Sequence, residues 1–246
     1  ERSRVSSMNG KATAWCAVRG VDMANLAITT VCNQHCAYCF TVDHLGDDLR
    51  SDGSSGEQAG ALFLSMGAFE SRLDFLHRSG IKEVRLLGGE PTLHPQFAGL
   101  IELVRTKGMP VVVFTNGLVP EDALDCLAAL PPDLCTVMVN VNQPDGTGSD
   151  GSHERRLDTV RRLGQRALLG FNIYQPSFQL DFLIALIAEA GCKPAIRLGM
   201  AHPCLSGDNQ YVHPNQYRAI ARKIVRFARV AANSGVNLDF DCGFVR

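Results

Sequence analysis

Three cysteines stand within eight residues of this 246-residue chain, as Cys32, Cys36 and Cys39, with the spacing Cys-x3-Cys-x2-Cys. They follow the apolar run Leu26-Ala27-Ile28, so the sequence predicts that they lie in a loop directly after a strand. Three thiolates in one short loop can all turn toward the same point. Iron–sulfur cubanes are normally held by four thiolates, and three would leave one iron open to a substrate or a cofactor.

A structural zinc site is the alternative interpretation of the same loop, with Cys36, Cys39 and a further ligand such as His35 or His44. Structural zinc sites usually bring two pairs of ligands that are separated by a longer spacer. The sequence shows no second pair at such a distance. The cysteine spacing therefore favours a cluster and leaves zinc open.

A second motif, Gly88-Gly89-Glu90-Pro91-Thr92, follows the predicted strand 83–87. Two glycines let a backbone pass close to a ligand, and the carboxylate after them can accept hydrogen bonds from an ammonium group. A Gly-Gly turn with a solvated Glu90 would have the same sequence. By itself this motif decides nothing.

Together the two motifs resemble those of the radical S-adenosylmethionine (SAM) superfamily, which has CxxxCxxC with an aromatic residue before the last cysteine and GGEP one βα unit later. The resemblance implies a [4Fe-4S] cluster on the three cysteines, whose open iron chelates the amino and carboxylate groups of SAM. It also implies that the GGEP motif holds the SAM amino group and that the aromatic residue packs near the adenine. The residues concerned are Tyr38, Gly88, Gly89, Glu90 and Pro91.

Polar residues at the ends of the next predicted strands extend this pocket. Thr115 and Asn116 end the third strand in a Thr-Asn-Gly sequence that many family members share, although an Asn-Gly turn explains Asn116 and Gly117 equally well. Asn140 and Asn142 end the fourth strand and, by alternation, point to the same side. The resemblance implies that one of these two asparagines binds the SAM ribose. The Ser-x-Asp-Gly of the family's peptide-modifying branch is not found at this place.

Asn172 and Arg197, within the fifth and sixth predicted strands, are the next candidates for the pocket. A guanidinium can hold the SAM carboxylate through a bidentate pair. A salt bridge between Arg197 and an acidic neighbour in the barrel wall is an equally good explanation. No acid or base for substrate turnover is assigned.

Strands and helices alternate along the chain, which predicts parallel βα units. The expected fold is α/β, a partial (βα)6 TIM-like barrel of parallel strands with outer helices, as in radical SAM enzymes; an open, doubly wound sheet is the runner-up. Two of the predicted helices are 58–79 and 152–168, the latter capped by Ser152. The predicted strands cover 24–30, 83–87, 110–114, 134–141, 169–174, 195–199 and 236–240.

Three segments are expected: an irregular lead-in over 1–23, the partial barrel over 24–235, and the start of a C-terminal extension over 236–246. Cys242 resembles the first cysteine of the extensions that carry auxiliary clusters in the SPASM and twitch subfamilies. Because the chain begins without methionine and ends four residues after this cysteine, we expect it to be part of a longer protein. An auxiliary cluster then depends on residues beyond Arg246, and Cys204 is a further candidate ligand.

The composition is that of a globular protein, with 46% hydrophobic residues, 20% charged residues and a net charge of −1. Basic residues are scattered apart from pairs such as Arg155-Arg156, which predict a solvated helix face and no nucleic-acid partner. Nine cysteines, an odd number without a regular pattern, favour a reducing compartment, so we expect a cytoplasmic protein. No apolar run approaches the roughly 20 residues of a membrane span.

The resemblance implies an enzyme that reductively cleaves SAM to a 5′-deoxyadenosyl radical, which abstracts hydrogen from a peptide or small-metabolite substrate. An electron donor such as ferredoxin or flavodoxin would supply the electron. The alternative from another class is a non-catalytic zinc- or cluster-binding module.

Overall fold

The computed structural model describes residues 22–41, 62–142, 151–205 and 209–241. Seven strands form one sheet in the order of the sequence, and every neighbouring pair is parallel. In chain order the strands are β1 (Met23–Thr29), β2 (Glu83–Gly88), β3 (Val111–Thr115), β4 (Cys135–Asn140), β5 (Ala167–Ile173), β6 (Ala195–Met200) and β7 (Asn237–Phe240).

A helix lies between each strand and the next. In chain order these are α1 (Met66–Arg78), α2 (Phe97–Thr106), α3 (Glu121–Ala129), α4 (Ser152–Leu163), α5 (Asp181–Ala190) and α6 (Tyr217–Asn233). Short 3₁₀ helices cover Pro91–Leu93, Gly164–Arg166 and Pro214–Gln216. With all strands parallel, their carboxyl ends meet at one edge of the sheet, where barrels of this kind carry their chemistry.

The two faces of the sheet differ in composition because side chains alternate along each strand. One face packs against the helices and holds the apolar core; its strand residues include Val84, Leu86, Val113, Val137, Val139, Leu169, Ile196 and Leu198. The opposite face is half-buried and more polar, and its residues include Arg85, Phe114, Met138, Asn140, Asn172 and Arg197. The alternation thus places the predicted site residues of β4, β5 and β6 on one shared face.

Within the described residues the predicted helix 58–79 is interrupted over 63–65, because this short segment pairs with an edge strand. Phe63 forms an antiparallel bridge with Thr29, and the amide of Leu64 donates to the carbonyl of Ile28 at 2.9 Å. This extended segment covers part of the free edge of β1, which would otherwise leave backbone groups unpaired. Helix α1 starts only after Ser65, whose side chain accepts from the Ala68 amide and caps it.

The prediction of one helix over 152–168 is also corrected. Helix α4 ends at Leu163, because Gly164 adopts a φ of +51° and a 3₁₀ turn follows, so that β5 already begins at Ala167. Ser152 is the first helical residue rather than the cap, and Gly151 with a φ of +72° precedes it.

The seventh strand belongs to the same sheet as the other six. Residues Ala195 to Leu198 of β6 pair with Asn237 to Phe240. The sheet therefore continues past residue 235, where the sequence placed a boundary, and the segment boundaries stay predictions. Residues 1–21 of the expected lead-in, His44 and Cys242 lie outside the described residues.

The expected α/β fold, with parallel strands and outer helices, is confirmed. Its described sheet has β1 and β7 as edges. Among the helices that the structure describes, none has the length and apolar character needed to cross a membrane.

Candidate active site

The three-cysteine loop follows β1 at the carboxyl edge of the sheet. Cys32, Cys36 and Cys39 are half-buried and unbonded to one another, and the Cys39 amide donates to the Cys36 carbonyl at 3.0 Å, which closes a turn between them. Two contacts from distant segments hold the loop. The Asn33 side chain donates to the Leu118 carbonyl at 2.9 Å, and the Gln210 amide donates to the Ala37 carbonyl at 2.6 Å.

The thiols of this loop influence one another. The pKa of Cys36 is raised to about 11, mainly by burial and to a smaller extent by the neighbouring Cys39 and Cys32. Burial is also the main cause of a raised pKa at Cys32, with Cys39 again adding to it. Three thiolates at this place would therefore need a cationic group, such as a metal, to stabilise them.

Within the described ranges, no three His, Cys, Asp or Glu side chains are positioned to share one metal ion. Ligands of a single zinc ion must all lie about 2.0 to 2.3 Å from the same point. Thiolates on a cubane bind different irons, so they need not converge so closely. Three thiol donors in this arrangement therefore fit an iron–sulfur cluster better than a single zinc ion.

Gly88 and Gly89 pack against the backbone that leads into the cysteine loop. A Cβ atom on Gly88, whose φ is +148°, would overlap the carbonyl oxygen of Thr29, and one on Gly89 would overlap that of Val31. The Gly89 amide donates to the Thr29 carbonyl at 2.9 Å, and the next amide, of Glu90, donates to the Val31 carbonyl at 2.7 Å. The sequence suggested that these glycines make room for a ligand. The structure shows that they make room for the cysteine loop.

Glu90 is completely buried and joins two strand ends. One carboxylate oxygen accepts from the Thr92 amide at 3.2 Å, the Thr92 hydroxyl at 2.6 Å and the Thr115 hydroxyl at 2.9 Å. The other accepts from the Asn116 amide at 2.8 Å. Burial raises the pKa of this carboxyl, although the four hydrogen bonds act in the opposite direction.

Asn116 connects the end of β3 to the cysteine loop. Its amide nitrogen lies 2.8 Å from the side-chain oxygen of Asn33 and 3.8 Å from the sulfur of Cys32, while its oxygen accepts from the Leu118 amide at 2.8 Å. Gly117 has a φ of +82°, and a Cβ there would lie 2.5 Å from the Arg156 side chain. The turn that the sequence allowed here is present, and it contacts the first cysteine.

Tyr38 reaches across the sheet to β4 and β5. The Asn140 side chain donates to the Tyr38 hydroxyl at 2.5 Å, and the tyrosine ring stacks on Tyr174 with 4.8 Å between centroids. Asn142 is bonded to the backbone of Asn172, accepting from its amide at 2.8 Å and donating to its carbonyl at 2.7 Å. These contacts bring Asn140, Asn142 and Asn172 together with the cysteine loop.

Arg197 is in contact with an acidic neighbour, as one of the two sequence interpretations expected. Its guanidinium pairs with Asp241 after β7, with Nε 2.6 Å from the carboxylate oxygen. It also lies 5.6 Å from the centroid of the Phe114 ring. Cys204 is half-buried, and its amide donates to the Asn209 side chain at 2.9 Å.

The sequence missed buried polar residues that support these loops. Arg156 is 2% exposed and donates to the Asn116 carbonyl at 2.8 Å, so it does not lie on a solvated helix face as expected. Thr159, one helical turn later, donates to the Gly117 carbonyl at 2.9 Å. His94 lies within 2.8 Å of the Leu64 carbonyl and holds the segment that covers β1. Only tertiary contacts distinguish these residues from ordinary surface positions.

The family model for the radical SAM superfamily matches residues 26–174, from β1 to the residue that stacks on Tyr38. The chain belongs to the radical SAM superfamily. As a member of this superfamily the protein is an enzyme, and the family implies that its cofactors are SAM and a [4Fe-4S] cluster.

Curated relatives match parts of the chain. It is 31% identical over 111 residues to a GTP 3′,8-cyclase of Chlorobaculum tepidum, covering 44% of this chain and 30% of that protein. It is 25% identical over 183 residues to an S-adenosylmethionine-dependent nucleotide dehydratase of the Thermoplasmatales archaeon strain ISO4-H5, covering 71% and 60%. The present chain thus spans less than two thirds of the length of these two relatives.

A solved structure shares the fold. SuiB of Streptococcus suis, bound to S-adenosylmethionine, superposes with a TM-score of 0.65 at 15% identity, over 92% of this chain and 52% of SuiB. This likeness supports the partial barrel and nothing about the substrate.

Proposed function

We propose that the chain binds a [4Fe-4S] cluster through Cys32, Cys36 and Cys39 and uses it to cleave SAM reductively. One electron breaks the S–C5′ bond and yields methionine and a 5′-deoxyadenosyl radical, which takes a hydrogen atom from the substrate. The observation that carries this proposal is the contact network at the carboxyl edge of the sheet. It joins the cysteine loop, the Glu90 loop and the Asn116 turn into one site.

The residues of the chain bind and orient; the cluster, when bound, supplies the electron. Gly88 and Gly89 keep the loop after β2 against the cysteine loop, so this loop would lie beside a group bound to the cysteines. Glu90 is fully buried and already accepts four hydrogen bonds. We therefore propose that Glu90 acts on the SAM amino group mainly by fixing the position of this loop.

The remaining cofactor assignments are proposals of the same kind. Asn140 and Asn172 lie next to Tyr38 on the half-buried face of the sheet, where a nucleoside would enter. Arg197 contacts the SAM carboxylate only if that carboxylate competes with Asp241 for the guanidinium. Other predicted members of the pocket are Pro91, Thr115, Asn116 and Asn142.

The substrate is proposed to be a peptide or a small metabolite. Two of the curated relatives are named for reactions of GTP and of nucleotides, so nucleotides come first among the metabolites to be tested. A peptide stays in the panel because a structural neighbour is described with a precursor peptide bound.

The test is deuterium transfer with anaerobically reconstituted protein, SAM and dithionite. Deuterated nucleotides and peptides are supplied in turn, and label is sought in 5′-deoxyadenosine. Release of methionine and 5′-deoxyadenosine supports SAM cleavage, and label identifies the hydrogen that is abstracted. A colourless protein that retains zinc and releases neither product would refute the proposal in favour of the non-catalytic module.

We further propose that the electron donor is a protein with an acidic surface, of the ferredoxin or flavodoxin type. Helix α6 contains no acidic residue, and four exposed arginines recur on one side of it, Arg218, Arg222, Arg226 and Arg229. The chain just before α6 contacts the cysteine loop through the Gln210 amide. Charge complementarity at this helix would bring a donor to the cluster side of the barrel.

The double variant Arg222→Glu/Arg226→Glu tests the docking surface. We expect slower reduction of the cluster by the protein donor, with a weaker dependence on salt, and unchanged reduction by dithionite. Arg78→Glu, at an exposed position of α1, is the matched control. Equal rates for both variants would exclude α6 as the docking surface.

An auxiliary cluster stays a proposal that depends on residues beyond Arg246. Cys204 and Cys242 are the candidate ligands within this chain. Iron content is the measurement: more than four irons per chain in a longer protein, reduced by Cys204→Ser, would support an auxiliary site. Four irons in both proteins would rule out Cys204 as its ligand.

A further inference from the structure

The amide nitrogen of the Asn116 side chain lies beside two residues of the cysteine loop. It is 2.8 Å from the side-chain oxygen of Asn33 and 3.8 Å from the sulfur of Cys32. An amide nitrogen carries two hydrogens, so it can donate to both partners at once. Because a sulfur atom is larger than an oxygen atom, the hydrogen bond to sulfur is the longer of the two. An N–H donor thus stands next to a cysteine that a cluster would use.

The backbone of Leu118 fixes the direction of these hydrogen bonds. Its amide can only donate, and it donates to the Asn116 side-chain oxygen at 2.8 Å. Its carbonyl can only accept, and it accepts from the Asn33 side-chain nitrogen at 2.9 Å. Rotating either asparagine amide by half a turn would therefore set two donors or two acceptors against each other. The nitrogen of Asn116, and not its oxygen, must face Asn33 and Cys32.

The turn that carries Asn116 is also held from its other sides. The Asn116 amide donates to the buried Glu90 carboxylate at 2.8 Å, and its carbonyl accepts from the buried Arg156 at 2.8 Å. The next carbonyl, of Gly117, accepts from the Thr159 hydroxyl at 2.9 Å. A donor that is held in this way needs no rearrangement when negative charge develops at its partner.

We propose that Asn116 is a positioning residue that donates a hydrogen bond to the Cys32 sulfur and thereby raises the reduction potential of the bound cluster. The inference rests on the proposed function, because it needs a [4Fe-4S] cluster on the cysteine loop. Reduction adds one electron, supplied by the donor that the proposed function already requires, and the ligating sulfurs share its charge. A donor fixed at one of these sulfurs stabilises the reduced cluster more than the oxidised one.

The first test is a potentiometric titration of the reconstituted cluster, followed by electron paramagnetic resonance, in Asn116→Ala and in the wild-type protein. SAM is left out, so that a change in SAM binding does not move the potential. We expect the equilibrium constant for one-electron reduction to fall roughly tenfold in the variant, which corresponds to a potential about 59 mV lower.

Asn33→Ala is the matched control, because it disturbs the same loop and leaves the donor in place. It removes the same hydrogen bond between the two asparagines and one bond to the Leu118 backbone. The Asn116 side chain keeps its own bond to Leu118 and its place beside Cys32. We expect the potential of Asn33→Ala to equal that of the wild type. Equal shifts in both variants would indicate a general loosening of the loop and would overturn the inference.

A second measurement detects the hydrogen bond in the wild-type protein. Asparagine labelled with ¹⁵N in its side chain is incorporated, and the reduced cluster is studied by pulsed electron paramagnetic resonance. A nitrogen that donates to a ligating sulfur should show a hyperfine coupling to the cluster. Asn33→Ala should keep this coupling, which assigns it to Asn116. No ¹⁵N coupling in the wild type, or its loss in Asn33→Ala, would overturn the inference even if Asn116→Ala holds no cluster.

An unchanged potential in Asn116→Ala would also overturn the inference, while the proposed function stands. If the wild-type protein holds no [4Fe-4S] cluster, the proposed function fails and this inference fails with it. The spectrum of the wild-type protein distinguishes the two outcomes.

Discussion

Replacing Glu90 by glutamine should destabilise the fold, because every partner of this buried carboxylate is a donor. The amide oxygen of glutamine can keep the bonds to Thr92 and Thr115, whereas its NH₂ group then faces the Asn116 amide, which also donates. One hydrogen bond is lost and a buried N–H is left unsatisfied. We expect a loss of about 2 to 3 kcal/mol in the free energy of unfolding.

The loss of stability in Glu90→Gln should depend on pH. Burial raises the pKa of Glu90 above its ordinary value of 4.5, so in the window between the two values the native state binds a proton more tightly than the unfolded chain. The stability that the Glu90 carboxyl contributes is therefore fully present below its ordinary pKa of 4.5 and is lost as pH rises through its raised pKa in the folded protein. Glutamine does not titrate, so the gap between wild type and Glu90→Gln should narrow as pH rises.

Urea unfolding of the cluster-free protein, followed by circular dichroism at several pH values, measures both effects. Glu102→Gln is the control, since Glu102 lies in an exposed ion pair with Arg105 and such pairs contribute little. A Glu90→Gln protein as stable as the wild type would refute the hydrogen-bond argument. A gap that is constant over pH would refute the raised pKa.

Three further predictions concern the loops around Glu90. Gly89→Ala should lower the free energy of unfolding by at least about 3 kcal/mol and impair cluster assembly, because the new Cβ meets the backbone of Val31. Gly67→Ala is the control and should be tolerated, because nothing lies within 4 Å of its new Cβ. Thermal unfolding and iron content are the measurements, and equal results for the two variants would contradict the packing argument. Asn116→Ala should lower the free energy of unfolding by about 1 to 2 kcal/mol and slow cluster reconstitution, because it removes the contacts with Asn33, Cys32 and Leu118. Reconstitution at the wild-type rate would argue against a role of Asn116 in holding the cysteine loop. Cys39→Ala should abolish the visible spectrum of the cluster, while Cys126→Ala on α3 should preserve it; a cluster that survives the first change would show that the loop is not its site.

Much of this molecule could be predicted from local sequence. The parallel strands were visible as short apolar runs separated by amphipathic helices, and the two motifs indicated the family because they depend on spacing alone. Helix ends were less predictable: Phe63 and Leu64 have helix-compatible side chains, yet the free edge of β1 draws them into an extended pairing. The end of α4 depends on the positive φ of Gly164, which the apolar pattern does not show.

Among the site residues too, the position along the chain could be predicted from the sequence, whereas the bonding partners could not. Glu90 and Asn116 could be selected from their place after strands, but their bond to each other joins groups 26 residues apart. Arg156 stands in a charged run that is typical of an exposed helix, and it is buried because the Gly117 turn packs onto it. Periodicity cannot reveal such pairs, since it reports the face on which a side chain lies and not the partner it meets.

By itself the sequence determined the type of chemistry, because three thiols at fixed spacing and a glycine-rich acidic turn are properties of the chain that no packing changes. The tertiary structure alone decided what those residues touch. It showed that the paired glycines accommodate the cysteine loop, that Glu90 faces donors of its own chain, and that the Tyr38 hydroxyl accepts a hydrogen bond from Asn140. The physical reason is that close packing and hydrogen bonding depend on distances between strands, which are set only when the parallel sheet brings its carboxyl ends together.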